Sequence, residues 1–132
     1  MNCEKKNNLE FFKSRKLTKV PFSEAVRVGN LLFVSGQIGL DVENKIVTGG
    51  ISEETLQTME NIRTILERHG TSLNQVVKIT VMMADMNEWS AMNRVYKNFF
   101  STDLPARSAF GSSGLAMGAR VEIECIAMID EG

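Results

Sequence analysis

Between Ala119 and Ile129 every second residue is apolar: Val121, Ile123, Cys125, Ala127 and Ile129. A period of two belongs to a β-strand, so this run predicts a long strand with one face on a core. The opposite face constrains the fold more tightly, because Ile126 and Met128 share it with the carboxylates of Glu122 and Glu124. A face that mixes apolar side chains with charges needs a cover that is itself partly polar. A second copy of the chain would meet that need, with polar sites at the seam.

Further strands are expected at Ala25–Val28 and Leu31–Gln37, joined by a Gly29-Asn30 turn, at Val76–Met83, and at Arg107–Phe110. Two segments carry helical spacing instead. The first follows Gly49-Gly50, with Ser52 as N-cap and Glu53 and Glu54 at the positive end of the dipole; Leu56, Met59, Ile62, Ile65 and Leu66 form its stripe before Gly70 ends it. The second runs from Asn87 or Glu88 to Phe100, with Trp89, Met92, Val95, Tyr96 and Phe99 on one side. This order of elements predicts a single α+β domain, a mixed sheet with both helices on one face. The sequence supplies no further helix for the other face, which again predicts a homo-oligomer. Residues 1–14, with Lys5, Lys6 and Lys13, are expected to be a flexible basic arm, and residues 15–132 the folded domain. Glu4 and Glu10 argue against a transit signal.

Charge and cysteine content remove several classes of function. A net charge of −1 over 132 residues provides no global field for a polyanion, which favours a small ligand over nucleic acid or an anionic membrane. No apolar run approaches a membrane span. The two cysteines, Cys3 and Cys125, form no disulfide framework, so a reducing compartment, the cytoplasm, is expected. Cys125 reads as a small core hydrophobe, and the single histidine, His69, as a helix-end residue. With no clustered ligands, neither a metal nor another cofactor is expected.

Two residues remain as candidates for chemistry. Arg107 follows Leu104-Pro105-Ala106, so its guanidinium is carried by a rigid strand entry, and its planar fork suits a carboxylate. Glu122 lies on the face that requires a cover, where poor solvation would raise its pKa towards that of an acid or base for activating water. From the residues alone, each could equally be an ion-paired interface side chain.

The stretches Pro21-Phe22-Ser23-Glu24-Ala25-Val26, Val34-Ser35-Gly36-Gln37-Ile38, Met92-Asn93-Arg94-Val95-Tyr96, Pro105-Ala106-Arg107-Ser108 and Val121-Glu122-Ile123-Glu124-Cys125-Ile126-Ala127, in this order, resemble the RidA/YjgF/UK114 family of enamine/imine deaminases over nearly the whole chain. The resemblance implies a chorismate-mutase-like fold (bacillus type) with a six-stranded sheet, and a homotrimer with sites between subunits. It implies cofactor-free hydrolysis of 2-aminoacrylate and 2-aminocrotonate, as their imine tautomers, to 2-keto acids and ammonia. Arg107 would then hold the carboxylate, assisted by the backbone of Ala109, and Glu122 would serve the attacking water. Phe22, Ser35, Gly36 and Asn93 match further pocket positions. Phe22 stands where the family usually has tyrosine, and Leu115-Ala116-Met117-Gly118 where members often have Leu-Pro-Lys-Gly. Two other readings follow the family: an endoribonuclease or translation inhibitor acting on single-stranded RNA, and a non-enzymatic metabolite-binding module. The absence of a basic stripe with stacking aromatics weighs against RNA.

Overall fold

In a computed structural model, residues 3–6 and 8–130 are described. Among them seven strands form one sheet: β1 (Cys3–Lys6), β2 (Leu9–Phe12), β3 (Ala25–Val28), β4 (Leu31–Gln37), β5 (Val76–Met83), β6 (Ala106–Gly111) and β7 (Val121–Met128). Their spatial order is β1-β2-β3-β4-β7-β5-β6, and only β5 and β6 run parallel. The five strands read from the sequence are present as β3 to β7; β2 completes the six-stranded sheet that the resemblance implied, and β1 adds one at the edge.

The alternating C-terminal segment becomes β7, an interior strand between β4 and β5. Its inward residues Val121, Ile123, Cys125 and Ala127 are buried, and they meet Leu32 and Val34 of β4 and Ile79, Val81 and Met83 of β5. Two helices lie on this face. Helix α1 (Ile51–Arg68) buries Met59, Ile62, Ile65 and Leu66, and α2 (Trp89–Tyr96) buries Met92 and Tyr96. No described helix is long and apolar enough to cross a membrane.

Three details differ from the sequence reading. The first helix is capped at Gly50, whose φ of 87° only glycine adopts readily, and not at Ser52; its buried face takes in Thr55 and Thr58, and Leu56 turns outward, 42% exposed. The second helix is α-helical for only eight residues, with 3-10 turns at Met86–Glu88 and Lys97–Phe99. The segment read as an arm before residue 15 contributes β1 and β2, and β2 pairs with β3 in register Phe12↔Ala25. Phe12 is buried against the ring of His69, with centroids 4.3 Å apart, so an apolar anchor outweighs the surrounding lysines. Of that arm, residues 1, 2 and 7 lie outside the described residues.

The second sheet face carries Phe33, Phe110 and Met128, each more than a third exposed, beside Lys78, Thr80, Glu124 and Ile126. It holds a shallow depression of about 220 Å³.

Candidate active site

Pro105 leads into β6, the edge strand beside β5. Arg107 is in register with Ile79, which is fully buried under the helices, so the arginine points to the helix face of the sheet. There it crosses α2. Trp89, Asn93 and Tyr96 are spaced i, i+4 and i+7 and therefore share one side of that helix. Nη1 of Arg107 donates to Oδ1 of Asn93 at 2.7 Å, and Cζ lies 5.2 Å from the Trp89 ring centroid and 4.8 Å from that of Tyr96. The guanidinium is half-buried and, among the described residues, has no acidic partner. The Tyr96 hydroxyl is buried without a hydrogen-bond partner, and burial raises its pKa against the opposing pull of Arg107.

Glu122 is positioned by an irregularity in β4. From Val34 to Gln37 that strand takes three steps while its partner takes two, from Cys125 to Ile123, which is a β-bulge at Ser35-Gly36. The bulge brings Gly36 against the glutamate, and a methyl group at Gly36 would overlap Oε2 of Glu122. The missing side chain at Gly36 leaves room for the carboxylate in this position. The half-buried carboxylate has its pKa raised, first by desolvation and then by the charge of Glu124. It opens into a groove of about 750 Å³, whose walls include Phe22, Gly36, Leu17, Ile38 and Met117.

Within one chain the predicted residues form two groups. Phe22, Gly36 and Glu122 share the groove. Arg107, Asn93 and Ala109 lie elsewhere, Ala109 in register with buried Val81 on the same side of β6 as Arg107. Glu122 pairs with Met82 across β7 and β5, whereas Arg107 aligns with Ile79, so alternation puts the two on opposite faces with β5 between them. Ser35 joins neither group: its hydroxyl donates to the carbonyl of Ser23 at 2.6 Å, and it borders the shallow depression on the open face.

Two features were absent from the sequence reading. Trp89 and Tyr96 read in the sequence as core packing, although their spacing from Asn93 marks a common face. Glu24, buried at the start of β3, accepts 2.7 Å bonds at both oxygens from Nη2 of Arg68, and Nε2 of His69 lies 3.1 Å away. Burial alone would raise the pKa of Glu24, but the bonds to His69 and Arg68 bring it below the ordinary value. Cys125 is no nucleophile, since burial pushes its thiol up to about 12. No group of three described residues could hold a metal ion.

The family model described as Endoribonuclease L-PSP matches residues 13–129. A 2-iminobutanoate/2-iminopropanoate deaminase of Mus musculus is 45% identical over 109 residues, 82% of this chain and 81% of that protein. A RutC family protein of Pyrococcus abyssi is 47% identical over 81% of this chain and 85% of its own length. The crystal structure of yeast Mmf1 superimposes with a TM-score of 0.85 at 37% identity, covering 92% of this chain and 99% of that one.

Proposed function

This chain belongs to the Endoribonuclease L-PSP (RidA/YjgF/UK114) family, and from that premise we propose that it hydrolyses 2-iminopropanoate and 2-iminobutanoate to 2-keto acids and ammonia. The observation that carries the reading is Arg107, a half-buried guanidinium held by neutral groups and, among the described residues, lacking a carboxylate of its own. A carboxylate bound there places the adjacent imine carbon for attack. Glu122 accepts a proton from water as the oxygen bonds to C2 and delivers it to the imine nitrogen, giving a carbinolamine. It then takes the hydroxyl proton and passes that to nitrogen as the C2–N bond breaks, leaving the keto acid and ammonia. Its raised pKa narrows the gap between taking a proton and giving it up.

Because Arg107 and Glu122 occupy opposite faces, the reading takes them from adjacent copies in a cytoplasmic homotrimer whose open sheet faces cover one another. The apolar residues Phe33, Phe110 and Met128 support that cover. The test couples an amino-acid oxidase, which generates the imine, to wild type, Arg107→Ala and Glu122→Gln. Loss of the general base should cost about 10²-fold or more. Equal rates for all three proteins would overturn the proposal.

A further inference from the structure

Arg107 is half-buried, yet the side-chain hydrogen bond it donates goes to a neutral amide, Asn93. A half-buried arginine is commonly stabilised by a carboxylate, which occupies its fork and cancels its charge. Helix α2 supplies neutral groups in place of an acid: one amide oxygen and two aromatic rings, at i, i+4 and i+7. An aromatic ring attracts a cation through its quadrupole while offering neither a negative charge nor a carboxylate's lone pairs. The bond to Asn93 uses one of the five N–H groups, so most of the donor fork remains for an anion.

We infer that Trp89 and Tyr96 are positioning residues, whose rings together with Asn93 hold the Arg107 guanidinium ready for a substrate carboxylate while leaving its charge and donor edge unspent. The inference rests on the deaminase reading for the identity of the ligand. It goes beyond that reading in assigning to two residues on the core side of α2 the task of fixing the arginine. Trp89 is the more accessible of the pair, packed against the edge of the core, whereas Tyr96 is 5% exposed and belongs to the core as well. Trp89 therefore carries the test with the smaller risk of unfolding.

Trp89 is the only tryptophan in the chain, so its fluorescence reports on the clamp without any ligand. Arg107→Ala should change the emission of Trp89. Calorimetric titration with 2-oxobutanoate, a stable keto-acid product, then compares wild type, Trp89→Leu, Trp89→Phe and Arg107→Ala. Loss of the ring in Trp89→Leu should raise Kd and KM about three- to tenfold, with a smaller effect on kcat, and Trp89→Phe should recover most of the loss. In an Arg107→Ala background Trp89→Leu should cost little more, because its effect passes through the arginine. Equal losses from Trp89→Leu in both backgrounds, or Trp89 emission indifferent to Arg107→Ala, would overturn the clamp. Failure of wild type itself to bind 2-oxobutanoate, with emission still responsive to Arg107→Ala, would overturn the deaminase reading and the ligand role assigned to the clamp, leaving its geometry intact.

Discussion

Replacing Gly36 with alanine probes the β4 bulge and the Glu122 carboxylate proposed as the base in one step. Gly36 is not among the positive-φ glycines, so alanine brings no backbone strain of that kind. Its Cβ would lie 3.0 Å from Cδ and 3.2 Å from Cγ of Glu122, and nearer still to Oε2. Comfortable carbon contacts begin at about 3.5 Å, so the carboxylate has to swing away by about 1 Å or more. An off-rotamer side chain costs about 0.5–1.5 kcal/mol, which for a domain of this size lowers Tm by roughly 2–8 °C. Moving a catalytic group by about 1 Å, by contrast, costs about 10²-fold in rate. Gly36→Ala should therefore remain folded, bind 2-oxobutanoate within about threefold of wild type, and lose about 10²-fold in kcat in the oxidase-coupled assay. Combined with Glu122→Gln it should add little, since the carboxylate it displaces is already neutral and inactive. Wild-type kcat in Gly36→Ala, or an undiminished further loss in the Glu122→Gln background, would refute the placement of the base.

Glu24→Gln should destabilise the fold by about 2–4 kcal/mol in urea titrations at pH 7, because it leaves Arg68 and His69 without their carboxylate in a site where Glu24 is 7% and Arg68 25% exposed. The folded pKa of Glu24 lies below its ordinary 4.5, so this stabilisation is present above pH 4.5 and disappears as pH falls through the folded value; the wild-type and variant curves should converge there. Glu122 has the opposite sign. Its raised pKa means that the stability present below pH 4.5 is lost as pH rises through the folded value, and Glu122→Gln should melt higher than wild type at pH 7. As a base it must be ionised, so kcat/KM should rise with pH through that same value, and Glu124→Gln should move the rising limb to lower pH. Phe22→Tyr restores a hydroxyl on the groove wall and should raise kcat about two- to tenfold; an unchanged kcat would remove that hydroxyl from the mechanism.

How much of this was legible in the sequence depended on how local each signal was. The alternation in Val121–Met128 needs only the strand itself, and it correctly marked that strand and its core face. The four residues Leu9–Phe12 contain a glutamate and follow two lysines, so charge dominated the reading. Their strand character comes from pairing with β3 and from the contact of Phe12 with His69, both long-range. The cap at Gly50 was hidden by a better side-chain capper at Ser52; the conformation at Gly50 decided the start of α1.

The site divides in the same way. Arg107 and Glu122 could be nominated by residue type, strand position and family resemblance, but the bulge is a mismatch between β4 and β7 that neither strand displays alone. Trp89, Asn93 and Tyr96 had a visible i, i+4, i+7 spacing. It could not be separated from a core stripe until β6 brought a cation across it, and Tyr96 serves both purposes.

Opposite placement of Arg107 and Glu122 has a consequence that separates an intersubunit site from any site within one chain. Arg107→Ala retains the glutamate and Glu122→Gln retains the arginine, and each should be nearly inactive alone. If every site combines an arginine from one copy with a glutamate from the next, co-refolding the two variants in equal amounts recreates some intact sites. Random assembly gives each seam an even chance of an intact arginine and, independently, of an intact glutamate, so activity should recover to about a quarter of wild type in a closed ring of copies. Simple mixing without dissociation should recover none, which separates assembly from contamination. A site contained in one chain could never recover, because each chain would still lack one member of the pair. Absence of recovery after verified mixed assembly would therefore refute the seam, even if both residues proved essential.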